Sequence, residues 1–304
     1  MTSHAIAGRY NTNQVIAMTW MFSPKVIKEL AQTGKSATFG RLIKTANLWQ
    51  NLPNPRELRI RDAYDIVYNV LKDGNNRSAY IYKNVLTRKR FLGIHSLKTA
   101  SLLTEFRVGK SKADVVILNG TSTAYEIKSE RDTFFRLSGQ IDSYLDVFDK
   151  VYVISSEDNS EQLMSILSNQ VGVMALNKRQ CITTIRKALS NKDSISPSVF
   201  FDSLTREEAE AVLKLYNIDI PKVPNTRIRS ELKSLFFELG ASRVHDGAVT
   251  VLKQSRSLSP LSDFLFLLPD SLKAVGVSTL IPHPARETLI NTLDLSLHTA
   301  YRWS

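Results

Sequence analysis

Residues 102–128 read LLTEFRVGKSKADVVILNGTSTAYEIK. Leu102 to Val108, Ala113 to Leu118 and Thr123 to Lys128 are short apolar-rich runs, separated by Gly109-Lys110-Ser111-Lys112 and Asn119-Gly120-Thr121. That pattern predicts three strands of an antiparallel meander. Side chains alternate along a strand, so Glu126 and Lys128 share one face while Ile127 takes the other. Loop length then decides which residues meet. An odd loop such as Asn119-Gly120-Thr121 pairs Leu118 with Ser122 and sets Asp114 opposite Glu126, whereas a two-residue Asn119-Gly120 turn puts them on opposite faces. Three charges, Asp114, Glu126 and Lys128, in otherwise interior strands are costly unless they meet each other, a metal or a substrate.

Downstream, a helix is expected from Asp132 to about Asp149, then a buried strand Val151 to Ser155, a helix Ser160 to Asn169 and a strand Val171 to Leu176. Meander strands pair antiparallel and helix-crossed strands pair parallel, so the expected class is α/β, with a mixed central sheet and flanking helices. Upstream, Ser23-Pro24 starts a helix that runs to about Gln32, and a second spans Thr38 to about Trp49. Asn51 to Pro55, with its two prolines, breaks the chain. Leu58, Ala63, Ile66, Val67, Val70 and Leu71 then line one helical face that ends before Gly74. After Asn177 the pattern is mostly helical, with a Thr205/Glu208 capping box and a helix stopping at Gly240. The expected organisation is a basic helical N-terminal extension (1–55), an α/β core (56–177) and a mainly helical C-terminal domain (178–304).

The 304 residues carry 40 Lys+Arg against 29 Asp+Glu, a formal charge of +11. Such a balance favours polyanionic partners. Residues 1–56 hold seven basic residues and one acid, so the N-terminal sixth supplies over half the excess. Nine more cations lie between Arg77 and Lys112, where Glu105 is the single acid. No apolar run approaches the ~20 residues of a spanning helix, and no signal-peptide order is seen at the N-terminus. Membrane insertion is disfavoured. The single cysteine, Cys181, cannot form an internal disulfide and fits a reducing, cytoplasmic setting. His4, His95, His245, His283 and His298 show no paired metal spacing. Gly34-Lys35-Ser36 and Gly109-Lys110-Ser111 lack the earlier glycine of a phosphate-binding loop and read as turns.

Ser111-Lys112-Ala113-Asp114, a hairpin, Tyr125-Glu126-Ile127-Lys128-Ser129 and a helix bearing Arg136, Leu137 and Gln140 together resemble the restriction-endonuclease-like PD-(D/E)xK nuclease superfamily, over about residues 57–176. Ala113 stands where that motif has proline. The resemblance implies a restriction-endonuclease-like sheet, with Asp114, Glu126 and the Ile127 carbonyl as Mg²⁺ ligands and Mn²⁺ as a substitute metal. It implies that Lys128 orients or deprotonates the attacking water. Glu105 resembles the additional acid, bound to a second metal or polarising the water, with Glu57 as the competing candidate. Gln140 resembles the helical glutamine that bonds a metal-bound water or DNA. Arg136, Gln140 and Tyr144 recur every fourth residue, which puts Arg136 and Tyr144 in position to hold phosphates, with Asp132 as a helix cap.

Two functions follow. The first is a Mg²⁺-dependent nuclease hydrolysing DNA phosphodiesters in phage defence, mobile-element control or repair, where duplex cutting calls for a homodimer. The alternative is a non-catalytic DNA-binding or protein-interaction module that retains the same fold, with the charged cluster serving as a salt-bridge network. Either one needs phosphate contacts. Lys25, Lys28, Lys35, Arg41 and Lys44 on the N-terminal helices, together with Arg107, Lys110 and Lys112, are the candidates. Arg227, Arg229 and Lys233 point to a C-terminal DNA-binding or dimerisation helix, or to plain helical packing.

Overall fold

In the computed structural model, Leu118 pairs with Ser122 and Val115 with Tyr125. The three-residue loop is therefore the one adopted, and this register, carried one step further, sets Asp114 opposite Glu126. The structure describes residues 10–52, 54–73 and 76–304; His4, Pro53 and Gly74 fall outside them.

In chain order the described helices begin with α1 (Thr12–Met21), α2 (Pro24–Thr33), α3 (Ala37–Thr45), α4 (Leu48–Asn51), α5 (Ile60–Leu71) and α6 (Ala79–Val85). The α/β section comprises β1 (Ser101–Val108), β2 (Ser111–Leu118), β3 (Ser122–Ile127), α7 (Leu137–Leu145), β4 (Lys150–Ser156), α8 (Ser160–Ile166), β5 (Gly172–Leu176) and β6 (Ile182–Arg186). Then come α9 (Pro197–Asp202), α10 (Arg206–Leu215), α11 (Asn225–Leu239) and α12 (Ala241–Ser255), and α13 (Ser262–Leu267), α14 (Lys273–Ser278), α15 (His283–Leu293) and α16 (Leu297–Tyr301) close the chain. None of the described helices is long and apolar enough to cross a membrane.

The chain forms two compact units, one of residues 1–89 with 260–304, the other of residues 90–259. The expected boundaries after residues 55 and 177 fall inside these units. In the first unit, the two ends of the chain are tied by backbone bonds from Ile60 N–H to the Leu295 carbonyl (2.9 Å) and from Leu297 N–H to the Leu58 carbonyl (2.8 Å). Its core includes Met18, Phe22, Leu30, Phe39, Ile43, Tyr64 and Leu293. Tyr64 stacks on Phe39, meets Phe22 edge-on, and donates its hydroxyl to the Met21 carbonyl at 3.0 Å.

In the second unit the described strands make an open six-stranded sheet in the order β1-β2-β3-β4-β5-β6. Strands β1 to β3 pair antiparallel, β3-β4 and β4-β5 parallel, and β5-β6 antiparallel. One face buries Val116, Ala124, Val151 and Val173 in a common core with Leu137 and Tyr144 of α7 and with α9 to α12. The C-terminal helices α9 to α12 are thus the cover of the sheet. A buried polar clasp joins them to it: His245 Nε2 lies 3.0 Å from Ser122 Oγ and accepts from Ser122 N–H at 3.3 Å, which leaves Nδ1–H to donate to Asp246 at 3.0 Å.

Some local expectations change. The segment after Asn177, expected to be helical from Cys181, contains strand β6 instead. Ile182, Thr183, Thr184 and Ile185 are β-branched and extend well, and β5 offers an open edge. Asn177 closes the intervening turn by accepting from the Arg179 and Cys181 N–H groups, both at 2.9 Å. The helix expected from Asp132 begins only at Leu137, because Asp132 is spent on a turn: it accepts from Ser129 N–H (2.9 Å) and Ser129 Oγ (2.6 Å) and caps nothing in α7. Glu57 sits in a turn before α5, 3.5 Å from the Asn54 amide, and not on the helix.

Candidate nucleic-acid interface and the strand-end polar cluster

Two groups of site residues emerge, one in each unit. In the second unit, β2, β3 and α7 bring Asp114, Glu126, Lys128, Gln140 and Tyr144 together. Lys128 Nζ lies 3.1 Å from Glu126 Oε1 and donates to Gln140 Oε1 at 2.9 Å. Asp114 Oδ2 accepts from the Ile127 N–H at 2.8 Å. The Tyr144 hydroxyl stands 2.8 Å from Glu126 Oε2 and 2.7 Å from the Lys112 carbonyl, one proton facing two acceptors. Burial, reinforced by the carboxylates of Glu126 and Asp114, pushes the Tyr144 phenol well above its ordinary value and keeps it a donor. Tyr144 is fully buried, so it is not a phosphate contact. Sequence reading grouped Tyr144 with Arg136 and Gln140 by spacing, but nothing in the pattern named Glu126 as its partner.

Most of the cluster's polar groups meet one another. Both Glu126 oxygens are engaged, and Glu105 turns away to pair with Lys112 at 3.1 Å on the surface. Glu105 also has φ 53, a left-handed backbone that interrupts the alternation of β1. Among the described residues no group of three or more His, Cys, Asp and Glu side chains is placed to hold a metal ion. Of the expected donors, Glu126 is held by Lys128 and Tyr144 and Glu105 by Lys112. What the geometry supports is an internally satisfied polar cluster that closes the open end of a hairpin beneath a helix. Arg107, Lys110, Lys112 and Arg136 are exposed around it, Lys112 with its charge already paired.

The first unit offers a different surface. Lys25 and Lys28 on α2, Lys35 in the following turn, and Arg41 and Lys44 on α3 are all exposed. Lys44 is occupied: its Nζ bonds to the Ser304 carbonyl and lies 5.1 Å from the Tyr301 ring centroid. Lys25, Lys28, Lys35 and Arg41 take part in none of the ion pairs among the described residues. Glu29 on α2 accepts from Ser36 Oγ at 2.5 Å and from Thr38 Oγ1 at 3.0 Å, so the local acid is spent on hydroxyls and leaves these cations alone.

An open mixed sheet roofed by helices, carrying a strand-end polar cluster, together with a basic helical unit, defines a two-unit α/β protein. The chain matches the family described as "Bacteriophage P4 protein cII" over residues 72–263, more than half its length, and belongs to that family. "Protein cII" of Enterobacteria phage P4 is 26% identical over 175 residues, 56% of this chain; the chain spans 64% of that relative's length. A solved protein of unknown function from Silicibacter pomeroyi, at 18% identity and a TM-score of 0.30, covers 45% of this chain and 88% of its own, too slight a likeness to bear on the fold.

Family membership corrects the resemblance to the PD-(D/E)xK nucleases. The expected restriction-endonuclease-like fold gives way to the open sheet of a P4 cII-family protein. With it go the nuclease activity, the assignment as a metal-dependent phosphodiester hydrolase and the place in phage defence or repair. The physical reason is that Asp-hairpin-Glu-x-Lys spacing also arises where a hairpin end must bury its polar residues under a helix. Here those residues satisfy one another.

Proposed function

We propose that this protein is a non-catalytic DNA-binding module. The supporting observation is where its net positive charge lies. The unit made of residues 1–89 and 260–304 holds seventeen Lys+Arg and nine Asp+Glu, so it carries eight of the eleven excess charges. In the other unit, Lys112, Lys128, Lys192, Arg206, Arg227, Arg229, Lys233 and Arg256 are each bonded to an acid. Arg229 and Lys233, expected as C-terminal DNA contacts, both hold Asp202, which favours the helical-packing alternative for them. Free cations, not paired ones, release counterions from a phosphate backbone.

Fluorescence anisotropy of the full chain on a labelled DNA duplex tests the reading. Affinity should fall with salt, with a log–log slope of about −3 to −4 if four side chains each neutralise a phosphate. Supercoiled plasmid held with the protein and Mg²⁺ or Mn²⁺ should be recovered uncut. No binding at low salt, or nicking that Asp114→Ala abolishes, would overturn the reading. A homodimer belongs to the same proposal, and light scattering of the free chain reads it directly.

A further inference from the structure

Resting on the DNA-binding reading above, we propose that α2 and α3 form a helix–turn–helix whose second helix enters the major groove of duplex DNA, with Arg41 reading a base edge. The pair lies outside the residues that match the P4 cII family. Its geometry carries the inference. Helix α2 ends at Gly34, whose φ of 67 is left-handed and whose N–H donates to the Leu30 carbonyl. Three residues, Gly34-Lys35-Ser36, join the helices, and Ser36 Oγ caps α3 by accepting from Phe39 N–H at 2.9 Å. A three-residue turn with glycine between two helices is the arrangement used for groove recognition.

The helix pair is fixed in place by its own side chains. The Glu29 carboxylate of α2 accepts from both Ser36 and Thr38, so the first helix holds the start of the second. Helix α3 buries Phe39, Gly40 and Ile43. At Gly40 an added Cβ would stand 2.9 Å from the Ala300 carbonyl, so this side of α3 is packed too closely to rotate outward. Ala37, Arg41, Lys44 and Thr45 remain in solvent, on one helical face with no acid in the first turn.

Lys44 is committed to Ser304 and Tyr301, which leaves Arg41 as the extended cation on that face. Its guanidinium has the fork that matches guanine O6 and N7 in the major groove. The neighbouring Ala37 and Thr45 are small enough to let the backbone approach. Lys25 and Lys28 on α2, and Lys35 in the turn, are left for phosphates, the part that the first helix plays in such a pair.

The test starts with selection of bound sequences from a random duplex pool by the full chain, followed by guanine-N7 methylation interference on a selected site. The expected result is a guanine whose N7 methylation blocks binding, with single-stranded DNA of the same sequence bound more weakly. Arg41→Ala should lower affinity for that site by about 5- to 150-fold, the range for loss of one bidentate base contact. Arg41→Lys should keep salt-dependent binding but lose the guanine preference, because an ammonium lacks the fork. Ala37→Glu, on the exposed face, should also weaken binding, with circular dichroism verifying its helix content. If wild type binds DNA but these variants stay within about twofold of it, or N7 methylation has no effect, the helix–turn–helix assignment fails and the DNA-binding reading stands. If wild type binds no DNA, both fail.

Discussion

The hydroxyl of Tyr144 meets Oε2 of Glu126 at 2.8 Å across eighteen residues of sequence. Both residues are buried, so the phenol supplies a donor to a carboxylate that water does not reach. Tyr144→Phe keeps the ring and removes only that donor. The expected loss is about 1–3 kcal/mol, the cost of an unsatisfied buried acceptor. Urea denaturation of the two proteins measures it; equal midpoints would mean that the hydroxyl carries no structural load.

Glu126 and Lys128 form a pair whose side chains are 4% and 10% exposed. Removing one partner strands the other, so Lys128→Met alone should cost about 3–5 kcal/mol. Adding Glu126→Gln should restore part of that stability, since replacing both charges is milder than orphaning one. A double-mutant cycle by chemical denaturation reads the coupling, and strictly additive losses would show that the two charges do not support each other.

Acid should loosen the clasp between α12 and β3. Burial holds the His245 imidazole below its ordinary 6.5, outweighing the pull of Asp246 and Asp149. Its Nε2 faces Ser122 N–H and cannot accept a proton without losing that bond. A depressed histidine means that the unfolded chain takes up the proton first, so its contribution is whole above pH 6.5 and declines as pH falls below it. Asp149 follows in more acid solution. Burial alone would raise its pKa, but hydrogen bonds from Ser190, Thr121 and the Asn191 N–H hold it below 3.8, so its contribution is lost only under that value. Denaturation midpoints from pH 4 to 8 should drop more steeply for wild type than for His245→Gln; parallel profiles would count against the imidazole.

Gly172 lies against Tyr152 at the start of β5. A Cβ there would come 2.2 Å from Tyr152 Cε1 and 2.8 Å from the Ala188 nitrogen. Gly172→Ala should therefore cost about 1–3 kcal/mol through overpacking, measured by thermal melting. The paired change Gly172→Ala with Tyr152→Leu should recover part of the loss by vacating the space; a harmless Gly172→Ala would show that the ring moves aside freely.

Ser36→Ala removes the α3 cap together with one of the Glu29 contacts, and about 0.5–2 kcal/mol of stability should go with it. If the helix pair reads DNA, the same change should also weaken duplex binding, whereas Ser160→Ala in the other unit should not. Anisotropy and denaturation on both variants separate the two effects.

Much of the sheet was legible in the sequence because strand signals are local. Alternation and short apolar runs set the positions of β1 to β3, whereas a two- or three-residue loop at Asn119 stayed open in the sequence and only the structure selects the three-residue loop that faces Asp114 with Glu126. Basic residues in the first helices were equally plain. Strand β6 was not legible, since five residues after a turn carry little period and extend only because β5 offers an edge.

The cluster shows the same division. Residue types and spacing put Asp114, Glu126, Lys128 and Gln140 together, and the spacing alone resembled a nuclease motif. Only the tertiary structure decided that Tyr144 and Lys128 occupy the Glu126 oxygens, that Glu105 turns out to Lys112, and that residues 260–304 complete the unit begun by residues 1–89. Periodicity along the chain records which face a side chain takes. Which distant group satisfies that side chain depends on packing between elements, which spacing along the chain does not record.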